Sequence, residues 1–249
     1  MLFLLRNIRR KLLGSKVSSY LLYAIGEIVL VVVGILIAIS IDDWSQYKKD
    51  RLKETKILLE MKANLELDFK RLGVNIQFLD SCIYSNQQVL AHLNGDPVNE
   101  DSLTIYYNRL FAGTYFGATI NDVAYQNLLS AGLDFIENDS LRKEISELYT
   151  ITYTEIESTE EHFDQKILLE RLSPALLNNI ETLEGINWTG KSYPINYEEL
   201  KENKTFKEVI ILHLTSKGYL FQLYINAQPK LESLIEHIQY DLTNRLNYK

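Results

Sequence analysis

One acid, Glu27, sits inside the apolar run YLLYAIGEIVLVVVGILIAISI, residues 20–41. A carboxylate at the centre of a bilayer costs about 2.5 to 3.5 kcal/mol on insertion scales, so such a residue normally faces other protein or a watery cavity. At about 1.5 Å per residue, a helix starting at Tyr20 carries Glu27 roughly 10 Å into the layer. Counted at 100° per residue, Glu27, Leu30, Gly34, Ala38 and Ile41 share one stripe. Gly34-x-x-x-Ala38 is a small-x-x-x-small step that lets a second helix approach closely. The chemistry expected of this stripe (Glu27, Leu30, Gly34 and Ala38) is helix–helix contact. Snorkelling of Glu27 without a partner and carriage of an ion by it are the competing readings.

Elsewhere the residue types offer little reactive chemistry. His92, His162, His213 and His237 are far apart and show no H-E-x-x-H or other paired ligand spacing. Glu160-Glu161-His162 with Asp164 has the donor types for a divalent ion on a helix face, but an acidic run on a helix reads first as solvated surface. The chain lacks G-x-S-x-G, a Walker loop and G-x-G-x-x-G. No catalytic, cofactor-binding or metal-binding residue is therefore expected, and no cofactor. The 16 Tyr fit half-buried positions in a bundle, and Cys82, the lone cysteine, excludes an intrachain disulfide.

The apolar run is long enough to cross the roughly 30 Å hydrocarbon layer, which takes about 20 residues. A cleavable signal has an apolar region of about 7 to 15 residues followed by an A-x-A-like site. This run is longer and ends Ala38-Ile39-Ser40-Ile41-Asp42, with β-branched residues where small ones are needed. The reading is an uncleaved signal anchor. Arg6, Arg9, Arg10, Lys11 and Lys16 precede it without an acid, and Lys48, Lys49, Arg51, Lys53 and Lys56 follow it. The counts tie, but short flanks decide orientation while long domains translocate largely regardless of charge. The expectation is a single-pass protein of the bacterial inner membrane, its N-terminus cytoplasmic and its C-terminal domain periplasmic. Tyr20, Tyr23 and Trp44 fit interfacial aromatic anchors.

With five basic residues and one acid placed before residue 42, the remainder of the chain holds 21 Lys and Arg against 32 Asp and Glu, a net charge of −11. Such a field repels phosphate backbones and anionic headgroups, which excludes nucleic acid as a partner. A domain of this size can bury a sufficient core without disulfides.

The elements that position these residues read as helices. No Pro occurs from 43 to 93, and Leu65, Phe69, Leu72, Ile76, Leu79 and Ile83 are spaced 4-3-4-3-4, with Leu58, Leu90 and Leu93 extending the seam and Lys62 and Asn86 interrupting it. This heptad spacing suits one long helix packed along a bundle, or a parallel coiled coil with another copy of the chain. Asn94-Gly95-Asp96-Pro97 ends it. A second helix carries Leu103, Tyr106, Tyr107, Leu110 and Phe111 and breaks at 113–117. Thr119-x-x-Asp122 resembles a capping box opening a helix with Val123, Ala124, Leu128 and Leu129 that stops at Gly132. An apolar plug from Leu133, an N-cap cluster at Asn138-Asp139-Ser140 and a long helix to about Asn179 follow. That helix buries Ile145, Leu148, Ile151 or Thr152, Ile156, Phe163, Ile167 and Leu168, turns Glu155, Glu157, Glu160 and Glu161 outward, and kinks or restarts at Pro174. Residues 184–197 read as loop, and two last helices span about 198–226 and 228–245. The fold expected is all-α: a single N-terminal transmembrane helix followed by an elongated helical bundle. The divisions are a basic N-terminus (1–19), the anchor (20–41), the heptad helix (42–97) and the rest of the exported domain (98–249).

The segment Y-A-I-G-E-I-V-L-V-V-V-G-I-L-I-A at 23–38, followed by an acid-rich turn and Trp44, resembles the N-terminal signature of a family of uncharacterised single-span bacterial membrane proteins. Leu129-x-x-Gly132, Leu133-x-x-Ile136, Asn138-Asp139 and Leu141-Arg142 are similar to that family's second characteristic stretch, with Leu148-Tyr149 where a Tyr pair usually follows. The resemblance implies localisation and topology and no activity. The function expected is a membrane-anchored helical interaction or sensor module without enzymatic activity. Its partners are the lipid bilayer and, through the span, a second copy or another membrane protein. The alternative is a small accessory subunit of an ion-driven membrane complex using Glu27, because one span with an acid in its first third plus an exported domain is also the layout of the rotor-stator partner subunits of bacterial motors. An enzyme with an unrecognised site comes third.

Overall fold

A computed structural model describes residues 16–112, 120–183 and 190–247. Backbone contacts divide the chain into Met1–Glu54 and Thr55–Lys249. The first helix, α1 (Lys16–Asn94), begins in the former and ends in the latter.

In Met1–Glu54, α1 is helical from Lys16 onward and every residue from 20 to 44 is exposed. Its most apolar window has a mean hydropathy of 2.8 and none of it is buried, so this helix is long and apolar enough to cross a membrane. The acid-rich turn expected after the span is itself helical: Asp42 and Asp43 lie within α1. The basic residues Arg6, Arg9, Arg10 and Lys11 lie outside the described residues.

In Thr55–Lys249, α1 supplies one wall of a bundle. Its buried line is Leu58, Met61, Leu65, Asp68, Leu72, Asn75, Leu79, Cys82, Asn86, Val89 and Leu93, alternating steps of three and four. The heptad reading therefore has the right period and one row misplaced. Leu58, Leu65, Leu72, Leu79 and Leu93 are inside as expected, but Phe69, Ile76, Ile83 and Leu90 flank the seam half-buried, and Met61, Asp68, Asn75, Cys82 and Val89 take the inner row. The helix ends as its residues demand. Gly95 adopts φ +81°, its N–H donates to His92 O (3.1 Å), and the Asp96 N–H donates to Ala91 O (2.9 Å), the paired bonds of a Schellman cap.

The second helix, α2, spans Glu100–Ala112 and buries Tyr106, Tyr107, Leu110 and Phe111. The break expected at 113–117 lies outside the described residues, as does Thr119. The next helix, α3 (Val123–Ala131), has Asp122 at its N-cap position without a side-chain bond to the backbone, so Asp122 is not the fourth residue of a capping box. It instead accepts a bond from Gln126 Nε2 at 3.0 Å. Of the four residues expected to pack, Ala124 and Leu128 are buried while Val123 and Leu129 are exposed. Gly132 ends α3 with φ +97°.

A single 3₁₀ turn, Leu133–Phe135, leads to Asn138, whose side chain accepts the Leu141 N–H and starts the long helix α4, residues 139–179. Its length matches expectation, but it is not uniformly α: Leu148–Tyr153, Thr159–Asp164 and Leu168–Leu172 are wider π turns. The last of these precedes Ser173, so the N–H that Pro174 lacks falls where the hydrogen-bond register changes and the helix continues.

The stretch read as loop, 184–197, contains one strand of a two-stranded antiparallel ribbon whose other strand lies just before it. Strand β1 (Ile180–Thr182) pairs with β2 (Ser192–Pro194) in the register Ile180↔Pro194, Glu181↔Tyr193, Thr182↔Ser192. Gly185 and Trp188 lie outside the described residues. The two last helices are also redrawn, as a short α5 (Tyr197–Glu202) and one long α6 (Lys204–Asn247) that runs through Pro229. Asn203 makes the break between them, in extended conformation and accepting the Phe206 N–H at 3.0 Å. A mid-helix proline costs about 3 kcal/mol. Ala227, Leu231 and Leu234 around it are buried, and that burial offsets the cost.

The core has two apolar parts. One joins Leu58–Leu79 of α1 with α3, the first half of α4 to Ile156, and α6 from Leu220 onward. The other joins Val89 and Leu93 with α2, Leu168–Leu176 of α4, Leu200 of α5 and Phe206 and Ile210 of α6.

Candidate functional site

Between the two apolar parts lies a polar layer. On α1 it is built from Cys82, Ser85 and Asn86, on α4 from Thr159 and Asp164, and on α6 from His213, Ser216 and Lys217, all buried. On α6, His213, Ser216 and Lys217 are three and four residues apart, hence on one face, in line with Ile210 and Leu220. On α4 the π turn decides which residue enters. Plain α geometry would bring Phe163 inward seven residues after Ile156. The extra residue of Thr159–Asp164 advances the inward position by one, so Asp164 is buried and Phe163 is exposed.

Lys217, 1% exposed, places its Nζ 2.6 Å from Asp164 Oδ2, and Ser216 Oγ donates to Asp164 Oδ1 at 2.7 Å. Asn86 Nδ2 donates to Cys82 O at 2.7 Å, so the amide oxygen of Asn86 is free to accept from His213 Nδ1, 3.0 Å away. The proton is then on Nδ1, and His213 Nε2 is a bare buried acceptor with no bond among the described residues. Burial, reinforced by the Lys217 charge, holds His213 down at about 3, and burial pushes the Cys82 thiol up to about 12. Near neutral pH the layer therefore holds one ion pair, a neutral imidazole and a neutral thiol. Asp164, Ser216 and Lys217 satisfy one another, as do Asn86 and His213 Nδ1, while His213 Nε2 is left over.

A second buried carboxylate, Asp68, accepts the Asn121 N–H at 3.1 Å and the Tyr153 hydroxyl at 3.2 Å. Burial raises its carboxyl above the ordinary 3.8. Tyr149, which stands where the resemblance expects a Tyr pair, stacks on Tyr125 with ring centroids 4.2 Å apart. A groove of about 400 Å³ runs between α4 and α6, lined by Glu144, Glu147, Leu148, Ile151, Thr152, Pro229, Lys230, Ser233 and Leu234. Across the same pair of helices Lys230 bonds Thr152 Oγ1 (3.1 Å), the Tyr224 hydroxyl bonds Glu160, and His237 Nδ1 lies 3.0 Å from Glu144 Oε1.

The expected stripe is placed on one uninterrupted stretch of α1, with Glu27, Leu30, Gly34 and Ala38 all exposed. A Cβ added at Gly34 meets nothing within 4 Å. The four histidines are not brought together: His92 stacks on Tyr197 at 4.5 Å, His162 is exposed, His213 is in the polar layer and His237 pairs with Glu144. The acidic quartet is also dispersed, with Asp164 committed to Lys217, Glu160 to Tyr224, and Glu161 and His162 at the surface. Among the described residues no three His, Cys, Asp or Glu side chains are grouped to hold a metal ion. The polar layer itself escaped the sequence reading. Its one visible signal was Asn86, a polar residue on the heptad seam.

A family model, the family of unknown function DUF6090, matches residues 27–185, more than half of the chain. The chain belongs to that family. The DUF6090 match begins at Glu27 and takes in the rest of α1, α2, α3, α4 and β1, so it includes Asp68 and Asp164; Lys217 and His213, on α6, lie beyond it. No curated protein and no solved structure matches the chain.

Proposed function

We propose that this protein is a membrane-anchored helical interaction or sensor module without enzymatic activity. It is held in a bacterial inner membrane by residues 20–41, with the N-terminus cytoplasmic and the bundle periplasmic. The observation that carries the reading is a contrast of surfaces. Residues 20–41 are apolar and wholly exposed along one helix, a surface that water does not tolerate and lipid does. Two of the carboxylates buried in Thr55–Lys249 are already engaged, Asp164 by Lys217 and Asp68 by Tyr153.

Within this reading the span self-associates or pairs with another membrane protein through Glu27, Leu30, Gly34 and Ala38. A neighbouring helix offers Glu27 hydrogen-bond partners that lipid lacks, and Gly34 and Ala38 lower the steric barrier to its approach. Gly34→Leu is expected to weaken association in a membrane two-hybrid assay, and Val32→Leu, on another face, to leave it unchanged. Equal association of both variants with the parent would remove the stripe from the account. The acid within the span favours one second reading, an accessory subunit of an ion-driven membrane complex, in which Glu27→Gln abolishes ion-dependent work without abolishing assembly.

A further inference from the structure

We infer that the part of α1 just beyond the span, Trp44 to Lys53, binds the phosphate groups of anionic phospholipids in the leaflet on the C-terminal side of the span. The site rests on the membrane-anchored reading. Lys48, Lys49 and Lys53 are exposed and make no ion pair among the described residues. The acids beside them are engaged elsewhere: Asp50 accepts from Gln46 Nε2 (2.9 Å) and Glu54 from Arg51 (2.5 Å). At 100° per residue the three lysines span about 140° of the helix, and Asp43, Asp50 and Glu54 crowd into about 40° on the other side. Asp42, next to the end of the apolar run, is the one acid on the lysine side.

Depth decides what these cations meet. Headgroups occupy about 5–7 Å on each side of the hydrocarbon layer. Counted from Ile41 at about 1.5 Å per residue, Trp44 falls inside the headgroup layer, while the backbone of Lys48 lies roughly 10 Å out, past it. The ammonium of Lys48 nonetheless belongs to that layer, because its Nζ is drawn back one turn to 3.9 Å from the centroid of the Trp44 ring. Long helical side chains lean toward the N-terminus, and the ring face holds the cation there. Lys48 is thus placed at the depth of the lipid phosphates with its N–H donors unspent on protein carboxylates. Lys49 starts at nearly the same height, and Lys53, about 7.5 Å from Lys48 along the axis, acts through the field within about one Debye length. The acidic excess beyond the span lies in residues 57–249, which hold 16 Lys and Arg against 28 Asp and Glu, whereas residues 44–53 hold four basic residues and one acid. Attraction for anionic headgroups is therefore confined to this segment, and a zwitterionic headgroup, which brings a cation of its own, gains less from it.

The test is native mass spectrometry of the full chain released from nanodiscs made of equal parts phosphatidylcholine and phosphatidylglycerol. The parent is expected to retain phosphatidylglycerol in preference, and Lys48→Gln to lower that preference about fivefold, the share of one cation at the surface. Lys48→Gln, Lys49→Gln and Lys53→Gln together are expected to abolish it, and Lys48→Arg, Lys49→Arg and Lys53→Arg together to keep it. Lys166→Gln, the same change of charge at an exposed position of α4, is expected to leave it unchanged. Three results overturn the site: equal retention of the two lipids by the parent, an undiminished preference in the triple glutamine variant, or a fall with Lys166→Gln equal to that with Lys48→Gln. A chain that fails to enter nanodiscs and is released from membranes by carbonate instead overturns the anchored reading beneath it.

Discussion

Lys217 on α6 and Asp164 on α4 meet at 2.6 Å between the two apolar parts of the core, with Ser216 on the second carboxylate oxygen. Removing one partner of such a pair strands a buried charge, which costs about 3–5 kcal/mol, whereas replacing both by apolar groups is often neutral or better. Lys217→Met is therefore expected to destabilise by that amount, and Asp164→Leu added to it to recover most of the loss. Pulse proteolysis of the full chain in membranes measures both. A double variant no better than the single one would mean that the pair contributes more than charge compensation.

His213 makes the bundle acid-sensitive. Its folded value, about 3, lies below the ordinary 6.5, so between those limits the unfolded chain binds the extra proton. Stability is then fully present above pH 6.5 and is lost as pH falls toward 3, by up to tenfold in the folding equilibrium per pH unit. Asp68, raised by burial, acts in the opposite sense above its ordinary 3.8. His213→Gln is expected to flatten the acid limb, as read from proteolysis midpoints across that window. An unchanged slope would assign the limb to other groups.

Asn138 joins two roles. Its oxygen caps α4 at the Leu141 N–H (3.2 Å) and its amide reaches Asp241 of α6 (3.2 Å). Asn138→Ala is expected to cost about 1 kcal/mol for the cap, and Asn138→Asp to keep the cap while repelling Asp241. Hydrogen exchange at the Leu141 amide separates the two, rising with Ala and holding with Asp.

The parts of this structure that were legible in the sequence are those written locally. Gly95 and Gly132 occupy the positive-φ positions that end α1 and α3, and Asn138 caps α4. Leu58, Leu65, Leu72 and Leu79 carry the heptad period. What stayed hidden depends on distant partners. Asp68 and Asn75 look like surface residues until Asn121 and Tyr153 arrive to satisfy Asp68, so the apolar Phe69 and Ile76 were the better local guess for the inner row. Asp164 is inward only because a π turn shifts the face of α4, and no residue pattern announces that turn. Pro229 and the β1–β2 ribbon are likewise set by packing. Glu27, Leu30, Gly34 and Ala38 share one helix, as their spacing requires, because helical continuity is itself a local property.

The proposed orientation rests on the compact basic flank ahead of the proposed span. An alkaline phosphatase fused after residue 60 is expected to be active, and a green fluorescent protein at the same site to be dark. The opposite pair of results would place the bundle in the cytoplasm.

The measurement that bears most directly on the account is carbonate extraction of the full chain from cell membranes, with the intact mass of the retained protein. An uncleaved anchor predicts that the chain stays in the pellet at its full 28.9 kDa. Release into the supernatant, or a retained species shortened by the first 41 residues, would contradict it.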